Sequence, residues 1–84
     1  MQLSGKTILV TGGTDGIGRE LALQLKGKGA AIIVTGRSAE RLAAMQAAGC
    51  DALSADLSSE AGVRALVDAV SGRMIDILIN NAGC

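Results

Sequence analysis

The segment Thr11-Gly12-Gly13-Thr14-Asp15-Gly16-Ile17-Gly18 has the residue types and spacing to hold an anion. It follows an apolar run directly and opens a helical pattern, so the first N–H groups of that helix point at whatever lies above them and attract phosphate. Glycine is required there because a Cβ would block the tight turn and keep a pyrophosphate away from the backbone. A close glycine also lets helix and strand approach. The spacing is G-x-x-x-G-x-G, one residue longer than the general dinucleotide fingerprint, so that generic motif does not match. A glycine-rich turn that caps a helix without any ligand is the alternative.

Two further positions point the same way. The acidic residue that an NAD site often places at the end of the second strand, to accept from the ribose 2′-OH, is absent, and Gly36-Arg37 stands there instead. The Arg37 guanidinium can fork onto phosphate oxygens and stack on adenine, which suits a 2′-phosphate; a carboxylate would repel it. A solvated arginine at a helix start is the other interpretation. Farther along, Asn80-Asn81-Ala82-Gly83 closes an apolar strand. Buried amide side chains there can tie neighbouring strands together. The tetrapeptide taken alone is equally a strand-ending turn.

Together these residues resemble the short-chain dehydrogenase/reductase family. Residues 11–18 are similar to its T-G-x-x-x-G-I-G signature, and residues 80–83 match its N-N-A-G motif. The resemblance implies a nicotinamide dinucleotide as cofactor, NADP(H) rather than NAD(H) given the V-T-G-R pattern that ends in Arg37. It assigns Gly12, Thr14, Asp15, Gly16, Ile17 and Gly18 to the cofactor loop. It also places Asp56 and Leu57 beside adenine, the Asp56 carboxylate accepting from the exocyclic amine and Leu57 packing on the ring. Asn81, Ala82 and Gly83 then lie at the ribose and the sheet junction. Asp15 is a mild mismatch, because some relatives carry a basic residue there that helps hold the 2′-phosphate. Without the family, Asp56 reads rather as an ordinary turn acid near the Ser58 cap.

The elements that must position these residues are legible as an alternation. Residues 7–11 (TILVT), 31–35 (AIIVT), 52–55 and 75–80 (IDILIN) are short strand signals, three of them rich in the aliphatic and β-branched residues that buried parallel strands require. Helical periodicity separates them. Ile17, Leu21 and Leu25 mark the first helix, Leu42 and Met45 the second, and Val63, Leu66, Val67 and Val70 the third, in the i, i+3, i+4, i+7 pattern of one face. Ser38 and Ser58 stand where each can cap a helix whose first turn carries Glu40 or Glu60. The pattern β-α-β-α-β-α-β predicts an α/β fold: the first half of a Rossmann-type parallel sheet with helices on both faces and strand order 3-2-1-4.

Composition excludes several other functions. Eight basic and eight acidic residues leave no net charge and no clustered run of either sign, unlike a nucleic-acid binder. Uncharged stretches such as residues 30–36 and 77–84 are far too short to span a bilayer, and the expectation is a soluble, cytoplasmic protein. No metal site is expected, since the chain has no His and Cys50 and Cys84 lie outside any zinc-ligand spacing.

No catalytic residue is assigned. Catalysis in the family relies on a Tyr as general acid/base, a Lys four positions later and a Ser, and these 84 residues contain no Tyr for Lys6, Lys26 or Lys28 to activate. Residues 1–84 therefore read as a truncated dinucleotide-binding half-domain. The resemblance places the small-molecule substrate site, and the interface of a homo-oligomer, in the missing half. An open apolar edge at the fourth strand predicts a chain that is poorly stable or associates by itself. Non-catalytic readings are a dinucleotide-binding module and a structural protein that keeps the fold.

Overall fold

A computed structural model describes residues 3–12, 14, 16–56 and 58–80. Four strands alternate with three helices: β1 (Thr7–Thr11), α1 (Gly16–Gly27), β2 (Ala31–Gly36), α2 (Ala39–Ala47), β3 (Asp51–Ser54), α3 (Glu60–Val70) and β4 (Ile77–Asn80). The strands form one parallel sheet in the order β3-β2-β1-β4, as the alternation predicts.

The order explains which face each helix covers. From β1 the chain steps to β2 and β3 in one direction, then returns past β1 to β4, so crossovers of constant handedness must change face at α3. Accordingly, α1 and α2 cover one face, where Ile8, Val10, Ile32 and Val34 pack with Ala22 and Met45. On the opposite face Leu9, Ile33 and Ala55 pack with Leu66 of α3. Strand periodicity sends alternate residues of β1 and β2 to these two clusters, and both strands are almost entirely buried.

Several details depart from the sequence expectations. In α1 the inward residues are Gly18 and Ala22, while Ile17 stands 82% exposed. Small residues let the helix lie close on β1 and β2, and Leu21 and Leu25 are only partly buried beside them. In α3 the apolar stripe is half covered. Leu66 is buried, but Val63 and Val67 are exposed, because α3 has no neighbouring helix on its face among the described residues. β3 begins one residue earlier than expected, and β4 two residues later. Ile75 and Asp76 precede β4, and Asp76 instead clamps the start of β1: the Thr7 N–H donates to its carboxylate at 2.8 Å, and its own N–H donates to the Thr7 carbonyl at 2.9 Å.

Cys50 lies buried between α2 and β3, and burial pushes its thiol up from the ordinary value. A thiol held protonated in this way is a packing residue rather than a nucleophile. Among the described residues no group of His, Cys, Asp and Glu could hold a metal ion, and no helix is long and apolar enough to cross a membrane.

Candidate functional site

The carboxyl ends of β1, β2 and β3 lie side by side, and every described candidate residue except Asn80 follows one of those three ends. In an open parallel sheet this is where ligands bind, next to the point at which the strand order reverses. Here the reversal falls at β1, between β2 and β4.

Glycine geometry shapes the loop after β1. Gly12 and Gly16 take φ of +69° and +58°, a region that L side chains rarely enter, so the turn into α1 depends on both. The first turn of α1 carries no acidic residue, whereas those of α2 and α3 carry Glu40 and Glu60. The partial positive charge at the start of α1 therefore has no carboxylate of its own first turn to meet it.

The loop is held from β2. The Gly12 N–H donates to the Thr35 hydroxyl at 3.1 Å, and Thr35 is 1% exposed. Thr14 is buried against Gly36, where a Cβ would lie 2.6 Å from the Thr14 hydroxyl oxygen. Gly36 thus serves the loop as well as the strand that it ends. Sequence reasoning missed both residues. Their signal was the repeat of Val-Thr-Gly at residues 10–12 and 34–36, which places the two threonines at equivalent strand ends.

Arg37 follows β2 and Asp56 follows β3, and the structure brings them together. The guanidinium lies 3.9 Å from the Asp56 carboxylate, with the Arg37 side chain 75% exposed. Contacts this long and this exposed contribute little, so Arg37 can be drawn to another anion at small cost. Asp56 is fixed far more firmly by its neighbours. The Ser58 N–H and hydroxyl both donate to its Oδ1, at 3.0 and 2.5 Å. Those two hydrogen bonds, more than Arg37, hold its carboxyl below the ordinary value, so Asp56 is an anion at neutral pH.

The backbone of Asp56 is also locked. Its carbonyl accepts from the Ser59 N–H at 3.3 Å and the Ser59 hydroxyl at 3.2 Å, and the same hydroxyl accepts from the Gly62 N–H at 3.0 Å. Ser59, not Ser58, is therefore the cap of α3. Ser58 is already committed to Asp56. At Gly62 a Cβ would overlap the Asp56 carbonyl oxygen, so the helix can sit this close only with glycine there. A glycine in the first turn of a helix was the sequence signal, since it weakens the helix unless close approach requires it.

Of the N-N-A-G motif, Asn80 is described. Its side-chain oxygen accepts from the buried Thr11 hydroxyl at 3.0 Å and ties β4 to β1. The bridging role is as expected, but the amide is exposed rather than buried, because β4 is an edge of the described sheet. Asp15, Leu57, Asn81, Ala82, Gly83 and Cys84 lie outside the described residues.

With this geometry in place, comparison with known proteins is informative. The short chain dehydrogenase family model matches residues 6–84. A rhamnolipids-biosynthesis 3-oxoacyl-[acyl-carrier-protein] reductase of Pseudomonas aeruginosa is 46% identical, covering 96% of this chain and 34% of the relative. An NADPH-dependent pterin aldehyde reductase of Arabidopsis thaliana is 34% identical over 96% of this chain and 36% of its own length. Among solved structures, the Pseudomonas aeruginosa RhlG/NADP active-site complex superposes with a TM-score of 0.89 at 42% identity, over 99% of this chain and 36% of that one. The L-sorbose reductase of Gluconobacter frateurii, complexed with NADPH and L-sorbose, superposes with a TM-score of 0.81 at 34% identity, over 100% and 36%. The chain spans about a third of the length of these curated relatives.

Proposed function

The chain belongs to the short-chain dehydrogenase family, and from that premise we propose that it forms the NADP(H)-binding part of an oxidoreductase interconverting a carbonyl and an alcohol on a small molecule. The observation that carries this is the convergence, at the carboxyl ends of β1, β2 and β3, of a glycine turn opening a helix, an available guanidinium and a firmly held carboxylate. Those are the groups needed for pyrophosphate, 2′-phosphate and adenine respectively. Two of the similar solved structures hold NADP or NADPH, which supports the same choice of cofactor.

In this account the loop from Gly12 to Gly18, with Thr14 and Asp15 inside it, holds the pyrophosphate at the start of α1. Ile17, apolar and 82% exposed beside the loop, is covered by bound cofactor. Arg37 leaves its weak contact with Asp56 and takes the 2′-phosphate. Asp56 accepts from the adenine amine, Leu57 packs on the ring, and Asn81, Ala82 and Gly83 line the ribose. Once bound, the nicotinamide supplies or accepts the hydride. No residue of this chain is assigned to proton transfer. The full protein is proposed to act in the cytoplasm as a homo-oligomer, as the family resemblance implies.

Titration of the full chain with NADPH tests the proposal, by calorimetry or by the fluorescence of the reduced nicotinamide. Saturable binding with one cofactor per chain is expected. A chain that is folded by circular dichroism and binds neither NADPH nor NADH contradicts it.

A further inference from the structure

The Asp56 carboxylate shows an asymmetry that the cofactor assignment does not use. All of its contacts among the described residues converge on one oxygen: the Ser58 N–H at 3.0 Å, the Ser58 hydroxyl at 2.5 Å and the Arg37 guanidinium at 3.9 Å all reach Oδ1. Oδ2 has no protein partner among the described residues. A carboxylate whose first oxygen already has its donors presents the second to an incoming donor in a fixed direction. The backbone beneath it is equally constrained, by Ser59 at the carbonyl and by Gly62 packed against it. Two close hydrogen bonds from Ser58 outweigh one long, exposed ion pair to the same oxygen, so Ser58 decides the orientation of the carboxylate.

We propose that Ser58 is a specificity-determining positioning residue, which holds the Asp56 carboxylate with one oxygen directed at the amine of the base. This rests on the assignment of Asp56 to adenine. The Ser58 hydroxyl chooses the base through Asp56: an adenine, which offers an exocyclic N–H, over a hypoxanthine, which has a carbonyl oxygen at that position and would meet the carboxylate with an acceptor.

The experiment compares dissociation constants of NADPH and its hypoxanthine analogue for the full chain, for Ser58→Ala and for Ser58→Thr. The parent is expected to prefer the adenine form by roughly tenfold, the magnitude of one charge-assisted hydrogen bond. In Ser58→Ala the preference should shrink by at least about threefold as the carboxylate loses one of its two close donors, and Ser58→Thr, which restores a hydroxyl, should recover it. A Ser58→Ala protein that keeps the parent's preference overturns the proposal while leaving Asp56 at the base. A parent that binds NADPH but does not distinguish the two bases overturns both the role of Ser58 and that of Asp56. A parent that binds neither dinucleotide overturns the cofactor assignment itself.

Discussion

On one face of the sheet, α1 and α2 close over Ile8, Val10, Ile32 and Val34, each at most 2% exposed. On the other, α3 is the one helix among the described residues over Leu9 and Ile33, with Val63 and Val67 of its apolar stripe and Leu78 of β4 in the open. Both faces come from the same strands, so strand propensity cannot explain the difference. Helix neighbours do. The proposed binding residues divide along the same line: the loop after β1 is anchored on the well-packed pair β1 and β2 through Thr35 and Gly36, while Asp56 relies on hydrogen bonds with the start of α3. In the proposed function, phosphate recognition therefore rests on packing, and base recognition on a local polar knot.

The sharpest way to break this comparison is to truncate a residue in each region. Ile8, 1% exposed on the face that α1 and α2 cover, should cost about 2–5 kcal/mol as Ile8→Ala, because the transferred methyl groups and the cavity both count. Val67→Ser, on the open stripe of α3, should stay within about 0.5 kcal/mol. Denaturant unfolding of the two variants checks this; equal losses would mean that α3 is covered as well as α1 and α2 are.

A smaller effect tests the junction between the regions. A glycine in an ordinary helix turn gains about 1 kcal/mol on replacement by Ala. At Gly62 the added Cβ meets the Asp56 carbonyl, so Gly62→Ala should instead lose about 1–3 kcal/mol in the same unfolding measurement. A stabilised Gly62→Ala variant would show that α3 does not press on the end of β3.

The polar knot also carries a pH signature. Because Ser58 holds the Asp56 carboxyl below its ordinary value in the folded chain, the contribution of the anion is present above the ordinary carboxylate pKa. It is lost as pH falls through the lowered one. NADPH binding should accordingly persist below the ordinary carboxylate range, and in Ser58→Ala its acid limb should move upward. An acid limb that stays in place would detach Ser58 from Asp56 in solution.

Much of this was legible in the residues themselves. The strand order and the Ser38 cap follow from alternating periodicities and polar punctuation, each a local property of the chain. What escaped was settled by contacts between distant segments. Ser58 looks as good a cap as Ser59 until Asp56 claims its hydroxyl. Ile17 fits the helix stripe, yet the close approach of Gly18 and Ala22 turns it outward. Val63 and Val67 keep perfect spacing, but spacing cannot show whether a second helix lies beside them. Thr35, a polar residue inside an apolar strand, is buried with its hydroxyl accepting from the Gly12 N–H.

The central claim is that the end of β2 selects the phosphorylated cofactor through Arg37, and it is tested most directly by titrating parent and Arg37→Ala chains with NADPH and NADH. If Arg37 makes one or two charge-assisted hydrogen bonds to the 2′-phosphate, its loss should weaken NADPH by at least about tenfold and NADH much less. A variant that binds both cofactors as the parent does would contradict the account.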